Sequence, residues 1–351
     1  MKEAIVQTDL YVKVHDAPIP TPGPSQLVIK VIVSGQNPKD WKIPILFKED
    51  HNPGDDIAGI VHAVGDEVTE FRVGDRVAAF HEMFKDHGSY AERVYPTIPT
   101  FSVQHSSPRK AATIPLAAMT AAIGLYQRLS LPLPWQPTTE PIPLLIYGGA
   151  TAVGAFALKL ASLSNIHPLI TVAGRGIPFV ESLLDKSKGD MVIDYRKGDE
   201  SVVSEIKTAL GGRKLKHAYD GVSEGSSARN IGKVLDPTAG SLLTYVLTLE
   251  KGVFPPAVKT NLTMVGDAHN PAPADSEAAK QGCKIGTPEF AYVMFRFFGR
   301  GLAKGWFEGH PFEIRKGGLG GLEGGLKDLK AGKVSAKKFV YRIGETEGVE
   351  L

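Results

Sequence analysis

Tyr147-Gly-Gly-Ala-Thr-Ala-Val-Gly154 is the stretch that decides the fold. It follows a short apolar run, Leu144-Leu-Ile-Tyr147, which reads as a buried strand. It opens residues 150–164, where Val153, Ala157, Leu160 and Ala161 fall on one helical stripe. A glycine turn between a strand and a helix is the setting of a dinucleotide-binding turn. The helix N-terminus offers unpaired N–H groups and about half a positive charge, which suit a phosphate. Read as G-x-G-x-x-G, the pattern runs from Gly149 to Gly154, with Thr151 where the middle glycine belongs. A glycine there lets the backbone approach a pyrophosphate, so Thr151 must push that phosphate outward or give it a hydroxyl hydrogen bond. The plainer reading of the same residues is a glycine turn in an ordinary βα unit.

Working outward, strands and helices alternate. Strands are predicted at 167–172, 191–194, 217–220 and 241–247, and helices at 179–186, 202–210 and 226–234. Such alternation predicts parallel βαβ units with right-handed crossovers. With these units behind it, the glycine turn favours nucleotide binding. The end of the second strand, Val172-Ala-Gly-Arg-Gly176, then selects the nucleotide. A carboxylate is expected there for an unphosphorylated ribose, and none is present. Arg175 stands at that distance, and a guanidinium can fork onto a 2′-phosphate. NADPH is therefore favoured over NADH. Tyr195, after the third strand, is a second donor for the same phosphate. An exposed loop arginine and a strand-end tyrosine are the structural alternatives.

Residues before about 111 read as strands and turns, with β-branched runs at 27–33, 57–64 and 76–80. They predict a curled antiparallel β domain without a long helix. An Ala-rich helix is predicted at 109–129, then a Pro-rich connection to 143. The tail predicts helices at 290–298 and 322–330 and a last strand at 339–343, returning to the first domain. The 351 residues are 42% apolar and 22% charged, enough for two domains with their own cores. A net charge of +2, from 40 basic and 38 acidic residues, sets up no field for nucleic acid or a membrane surface. The single cysteine, Cys283, excludes a disulfide framework within the chain and multi-cysteine metal clusters. The longest apolar stretch, 114–125, is too short to span a membrane, and no apolar leader is visible. A soluble cytoplasmic protein is the expectation.

Residues 53–77 read P-G-D-D-I-A-G-I-V-H-A-V-G-D-E-V-T-E-F-R-V-G-D-R-V. Asn37-Pro-Lys-Asp40, Gly88-Ser-Tyr-Ala-Glu92, Ala111-Ala-Thr-Ile-Pro-Leu-Ala-Ala118 and Gly332-Lys-Val-Ser-Ala-Lys-Lys338 flank it in order. Together they resemble the medium-chain dehydrogenase/reductase superfamily over nearly the whole chain. Within it the chain is most similar to the zinc-free quinone-reductase branch, above all to fungal trans-acting enoyl reductases that serve polyketide synthases. The resemblance implies an α/β architecture: a Rossmann doubly wound sheet at 116–283 and a GroES-like β-barrel domain built from 1–115 and 284–351. It implies that Asp40, Trp41 and Lys42 line the nicotinamide end of the cofactor. Gly149, Ala150, Thr151, Ala152 and Val153 would meet the pyrophosphate. Gly174, Arg175, Gly176 and Ile177, with Tyr195, would meet the 2′-phosphate ribose. Tyr245 and Val246 would abut the nicotinamide, Ser335 and Ala336 would touch the cofactor, and residues 115–122 would lie in the substrate region. Some relatives carry serine before proline in the phosphate loop, where this chain has Gly174-Arg175. Acyl specificity and dimerisation are expected within 248–273 and 290–306.

Zinc relatives carry a catalytic cysteine and a Gly-His-Glu motif. Here Gln36-Asn37 and Gly54-Asp55-Asp56 stand in those places, so no metal is expected. His81 and His87 beside Glu82 and Asp86 read as ordinary histidines of a solvated loop. Without a Lewis acid an activated alkene is an easier substrate than a plain ketone. The expected reaction is NADPH-dependent hydride transfer to the β carbon of an enoyl thioester or enone. Lys42 is the candidate catalytic cation, to stabilise an enolate, bind ribose hydroxyls or relay a proton, with Asp40 beside it; Tyr90 is a weaker candidate. The expected partners are a small α,β-unsaturated substrate and an acyl-carrier protein of a polyketide synthase. Lys327, Lys330, Lys333, Lys337 and Lys338 read as a solvated helix and strand end, or more sharply as a docking patch for that acidic carrier. A monomer or homodimer is expected. An NADPH quinone reductase and a non-catalytic NADPH-binding protein remain the alternatives.

Overall fold

The β-branched runs near the start of the chain become strands. β1 (Lys2–Val6) and β2 (Val12–Asp16) pair antiparallel. β3 (Leu27–Gly35), β4 (Asp56–Val64), β5 (Arg76–Phe80), β6 (Arg93–Val94) and β7 (Thr100–Ser102) follow. A helix at Lys39–Phe47 interrupts them, against expectation. Pro44 inside it and its exposed Ile45, Leu46 and Phe47 had hidden it, because they break the apolar period. The computed structural model describes residues 1–94, 100–103, 106–238, 240–250, 252–270 and 287–349. Cys283, the expected boundary at 283/284 and part of the 248–273 tract lie outside the described residues.

The alternating region forms β8 (Leu144–Tyr147), β9 (Leu169–Ala173), β10 (Met191–Asp194), β11 (His217–Asp220), β12 (Leu242–Tyr245) and β13 (Lys259–Leu262). All their pairings are parallel, in the order β10-β9-β8-β11-β12-β13. This is a doubly wound sheet whose order reverses between β8 and β11, the point where such sheets bind ligands. β8 and β9 are buried along their whole length, as strands covered on both faces must be. β13 was not anticipated, since Lys-Thr-Asn-Leu carries little apolar signal. The helix predicted at 179–186 is shorter and earlier, at Ile177–Glu181.

The tail supplies β14 (Phe312–Arg315) and β15 (Lys338–Arg342). They join a seven-stranded sheet ordered β14-β15-β3-β4-β5-β7, with β6 paired to β3; its pairs are antiparallel except β14–β15, which is parallel and departs from the expected antiparallel pattern. By contacts the chain divides into Met1–Met119 with Gly266–Leu351, and Thr120–Val265. The antiparallel domain has its core at Leu27, Ile29, Ile57, Val77, Tyr90, Phe339 and Tyr341. The parallel domain has its own at Leu145, Ile170, Val172, Ile193, Ile206 and Leu243. The helix expected at 109–129 is three pieces: Pro108–Ala111, Pro115–Ala122 and a π-helical turn, Ile123–Arg128. Gly124 opens that last turn against Tyr219, where an added Cβ would come within 2.2 Å of the ring. Among the described residues no helix is long and apolar enough to cross a membrane.

Candidate functional site

In the parallel domain, the turn after β8 is held by backbone. The N–H groups of Gly148 and Gly149 both donate to the Val172 carbonyl oxygen at 3.0 Å, tying the turn to β9. Gly148 has φ +91°, a conformation that favours glycine. A Cβ on Gly149 would come within 2.2 Å of Thr171 Oγ1, and one on Gly154 within 2.2 Å of the Gly148 carbonyl oxygen. Thr151 caps the helix Ala152–Leu163. Its hydroxyl donates to the Gly148 carbonyl oxygen and accepts from the Gly154 N–H, each at 2.9 Å. Of the two options open for Thr151, this arrangement favours the one in which its proton goes to the chain. The N–H groups of Ala150, Ala152 and Val153 have no acceptor among the described residues, and all three residues are half-buried. Three donors at the N-terminus of a twelve-residue helix fit a pyrophosphate.

The neighbouring strand ends carry the rest of this face. Gly174 lets the Tyr195 ring come close: a Cβ there would lie 2.5 Å from it. Arg175 is exposed, Gly176 begins the helix Ile177–Glu181, and Tyr195 is 52% exposed in the turn after β10. Asp194, next to Tyr195, is forked by Arg196 at 2.6–3.1 Å, and these hydrogen bonds hold its carboxyl at about 2. At the end of β11, buried Asp220 accepts from the Val222 and Ser223 N–H groups and the Ser227 hydroxyl. Burial raises its carboxyl above the ordinary range. Ser223 donates to the Asp220 carbonyl oxygen and accepts from the Val246 N–H at 3.0 Å, fixing the backbone after Tyr245. The sequence reading missed Asp220 and Ser223, because only the parallel register brings β11 and β12 side by side, and it missed Arg196, whose partner Asp194 is two residues away.

In the antiparallel domain, the helix Lys39–Phe47 carries Asp40, Trp41 and Lys42. Asp40 is completely buried and does not present a carboxylate to solvent. Its Oδ2 accepts from the Asn37 N–H at 2.7 Å and the Tyr90 hydroxyl at 2.5 Å, and its Oδ1 lies 2.8 Å from Lys39 Nζ. Its expected catalytic role is corrected to that of a positioning group. Trp41 packs on the core, with the Lys330 ammonium 5.9 Å from its ring centroid and that of Lys42 at 5.4 Å. Ser335 and Ala336 are half-buried, and Ala336 has φ +54°.

Three further expectations change. His81 is buried and bonded to Asp55 at 3.2 Å and the Asp86 carbonyl oxygen at 3.1 Å, so its loop end is not solvated. Lys338 is buried and pairs with Asp56, which also accepts from Asn37 Nδ2 and the Leu116 N–H. Lys327, Lys333 and Lys337 are paired with Glu323, Asp328 and Glu313, so the tail is not a block of unpaired cations. Asp55 and Asp56 are each taken by a lysine, and among the described residues no group of three or more His, Cys, Asp or Glu could hold a metal.

Residues 23–97 match the alcohol dehydrogenase GroES-like domain family. The chain is similar to trans-enoyl reductase fsr4 of Gibberella fujikuroi, 43% identical over 325 residues, covering 90% of this chain and 91% of that one. Trans-enoyl reductase ACTTS2 of Alternaria alternata is 31% identical over 351 residues, covering 97% and 98%. The chain belongs to the trans-enoyl reductases of the medium-chain dehydrogenase/reductase superfamily. Solved structures share the fold: the quinone oxidoreductase of Pseudomonas syringae (TM-score 0.71, 20% identity, 97% and 99% coverage) and CurK enoyl reductase (0.70, 17%, 97% and 98%). As a medium-chain reductase the protein is an oxidoreductase with a nicotinamide cofactor, and its two domains are a GroES-like domain and a Rossmann domain.

Proposed function

We propose that this trans-enoyl reductase uses NADPH to reduce an activated carbon–carbon double bond of an α,β-unsaturated thioester or enone, without zinc. The observation that carries the reading is the end of β9. Arg175 follows it, exposed, and no carboxylate does, while the nearby Asp194 is neutralised by Arg196. A carboxylate there would repel a 2′-phosphate, and a guanidinium attracts it. When bound, the reduced nicotinamide supplies a hydride to the carbon β to the substrate carbonyl. The N–H groups of Ala150, Ala152 and Val153 bind the pyrophosphate, and Arg175 with Tyr195 binds the 2′-phosphate. The substrate's π electrons move onto the carbonyl oxygen, and the α carbon then takes a proton. Lys42 stabilises that oxygen as charge develops on it, which is where a fixed donor gains most. Asp40 serves by holding the turn before Lys42. Zinc-free chemistry is supported by the lysines that already occupy Asp55 and Asp56. The names of the relatives support a carrier-bound acyl substrate from a polyketide synthase.

The test is a cofactor-consumption screen of NADPH and NADH against crotonyl-type thioesters, enones, quinones and aldehydes. Thioester-dependent NADPH oxidation is expected, with Lys42→Ala lowering kcat about tenfold or more. Turnover of quinones alone, or none at all with tight NADPH binding, would overturn the reading.

A further inference from the structure

Lys39 sits between two buried carboxylates of the domain that carries Lys42. Its Nζ lies 2.8 Å from Asp40 Oδ1 and 2.6 Å from Asp55 Oδ2, and it donates as well to the Pro53 carbonyl oxygen. Three oxygens thus surround the ammonium, one by a hydrogen bond and two by ion pairing. Both carboxylates are buried. Burial works against the charge of Lys39, but the two carboxylates outweigh it and raise the ammonium above its ordinary pKa. Burial also works to raise Asp55, yet Lys39 and His81 hold it below the ordinary range. Asp40 stays above that range, because burial outweighs its share of the single ammonium.

We infer that Lys39 is a positioning residue: its ammonium is a resident cation that joins Asp40 to Asp55 and so fixes the start of the helix carrying Trp41 and Lys42. This rests on the role proposed for Lys42. The helix has Pro38 at its N-cap and no side-chain cap. What closes its entry is Asp40 accepting from the Asn37 N–H, and Lys39 holds the other oxygen of that carboxylate. At the far side of the ammonium, Asp55 directly precedes β4, so the lysine ties a loop to a sheet strand. Without the ammonium two buried carboxylates would share one pocket, and the favoured response is for one of them to take a proton.

The groups facing these carboxylates define the pH response. Asp40 faces Lys39, Asp55 and Tyr90, with Tyr341 behind Tyr90; Asp55 faces Lys39 and His81, with His269 and Glu82 beyond. In Lys39→Met both carboxyl pKa values rise. Above them the repulsion is present, and as pH falls through them one carboxyl becomes neutral and the repulsion goes.

The experiment compares the native protein with Lys39→Met, the double variant Lys39→Met/Asp55→Asn, and Lys42→Ala. It reads kcat and KM with NADPH and a crotonyl thioester, NADPH Kd by fluorescence, and Tm, between about pH 6 and 9. Lys39→Met should lose about tenfold in kcat at the alkaline end, and the loss should shrink toward acid. The double variant, with one carboxylate fewer, should recover to within about threefold and regain the lost Tm. A pH-independent loss, a fall in Tm with kinetics intact, or a double variant no better than the single one would overturn the inference. Should Lys39→Met fail to fold, the double variant decides: folding with near-native kinetics supports the clamp, and failure overturns it. An inert Lys42→Ala would instead sink the role of Lys42, while the Tm recovery in the double variant would still report on the clamp.

Discussion

The turn after β8 and the loop before β4 solve similar problems with different materials. In the first, every stabilising contact lies within about 25 residues and most are backbone: Gly148 and Gly149 on Val172, and Thr151 on Gly148 and Gly154. In the second, the contacts are made by side chains, two of them brought from remote places: Lys39 to Asp55, Tyr90 to Asp40 across 50 residues, and Lys338 to Asp56 across 282 residues. A backbone turn needs particular residues at fixed spacing, so it can be read from a string of letters. A charge cluster needs only that the fold bring partners together, and spacing says nothing about it. The two regions should therefore respond differently to substitution, and the difference can be measured.

The largest effect is expected in the charge-built region. Lys338→Met leaves Asp56 buried with two hydrogen bonds and no cation. Breaking one side of a buried pair costs about 3–5 kcal/mol, and chemical denaturation of the antiparallel domain should show a loss of that size. Asp56→Asn in the same chain should restore most of it. A loss under about 1 kcal/mol would mean that Asp56 and its two neutral donors suffice.

In the backbone-built region the first test is specificity. Arg175→Asp should weaken NADPH about tenfold or more, roughly 1.4 kcal/mol, with little change for NADH. The site is exposed, so water screens much of the Coulomb energy and a larger effect is not expected. Equal losses for the two nucleotides, read by fluorescence titration, would remove Arg175 from the 2′-phosphate.

How much could be read in advance follows the same division. The doubly wound sheet was legible because its strands are short apolar runs at regular spacing and its helices carry apolar stripes. The glycine turn was legible for the same reason, but not the destination of the Thr151 proton, which depends on a cap geometry that no letter encodes. β13 was hidden by its polar residues, and the helix Lys39–Phe47 by Pro44 and its exposed apolar residues. Asp40 was found as a site residue and misassigned, since a carboxylate in a motif looks the same whether it meets substrate or a buried lysine. His81 and Lys338 read as solvated groups in the sequence because no spacing marks their partners, Asp55 and Asp56.

Thr151 gives a smaller effect with a clear direction. Thr151→Ala removes the cap and should cost about 1 kcal/mol in the stability of the parallel domain. NADPH affinity should change by less than about threefold, because the phosphate donors are the untouched N–H groups of Ala150, Ala152 and Val153. Thr151→Ser keeps the hydroxyl and should be close to native in both. A tenfold loss of NADPH affinity with unchanged stability would reverse the assignment and put the hydroxyl on the phosphate.

The smallest effect is expected at the C-terminal lysines, where composition alone suggests the opposite. Lys327, Lys333 and Lys337 lie 2.5–2.9 Å from Glu323, Asp328 and Glu313, so each charge is already matched at the surface. An acidic carrier approaching this face meets both signs, and steering needs a net field. Exposed pairs of this kind contribute little to stability, and reversal of one lysine should cost little. Lys333→Glu should therefore leave turnover of a carrier-bound thioester within about twofold of that of the free thioester, at low and high salt alike. A loss confined to the carrier-bound substrate, largest at low salt, would show that these lysines exchange their internal partners for the carrier. The surface would then resemble the loop before β4, where partners from remote segments, and not local spacing, decide what a charge does.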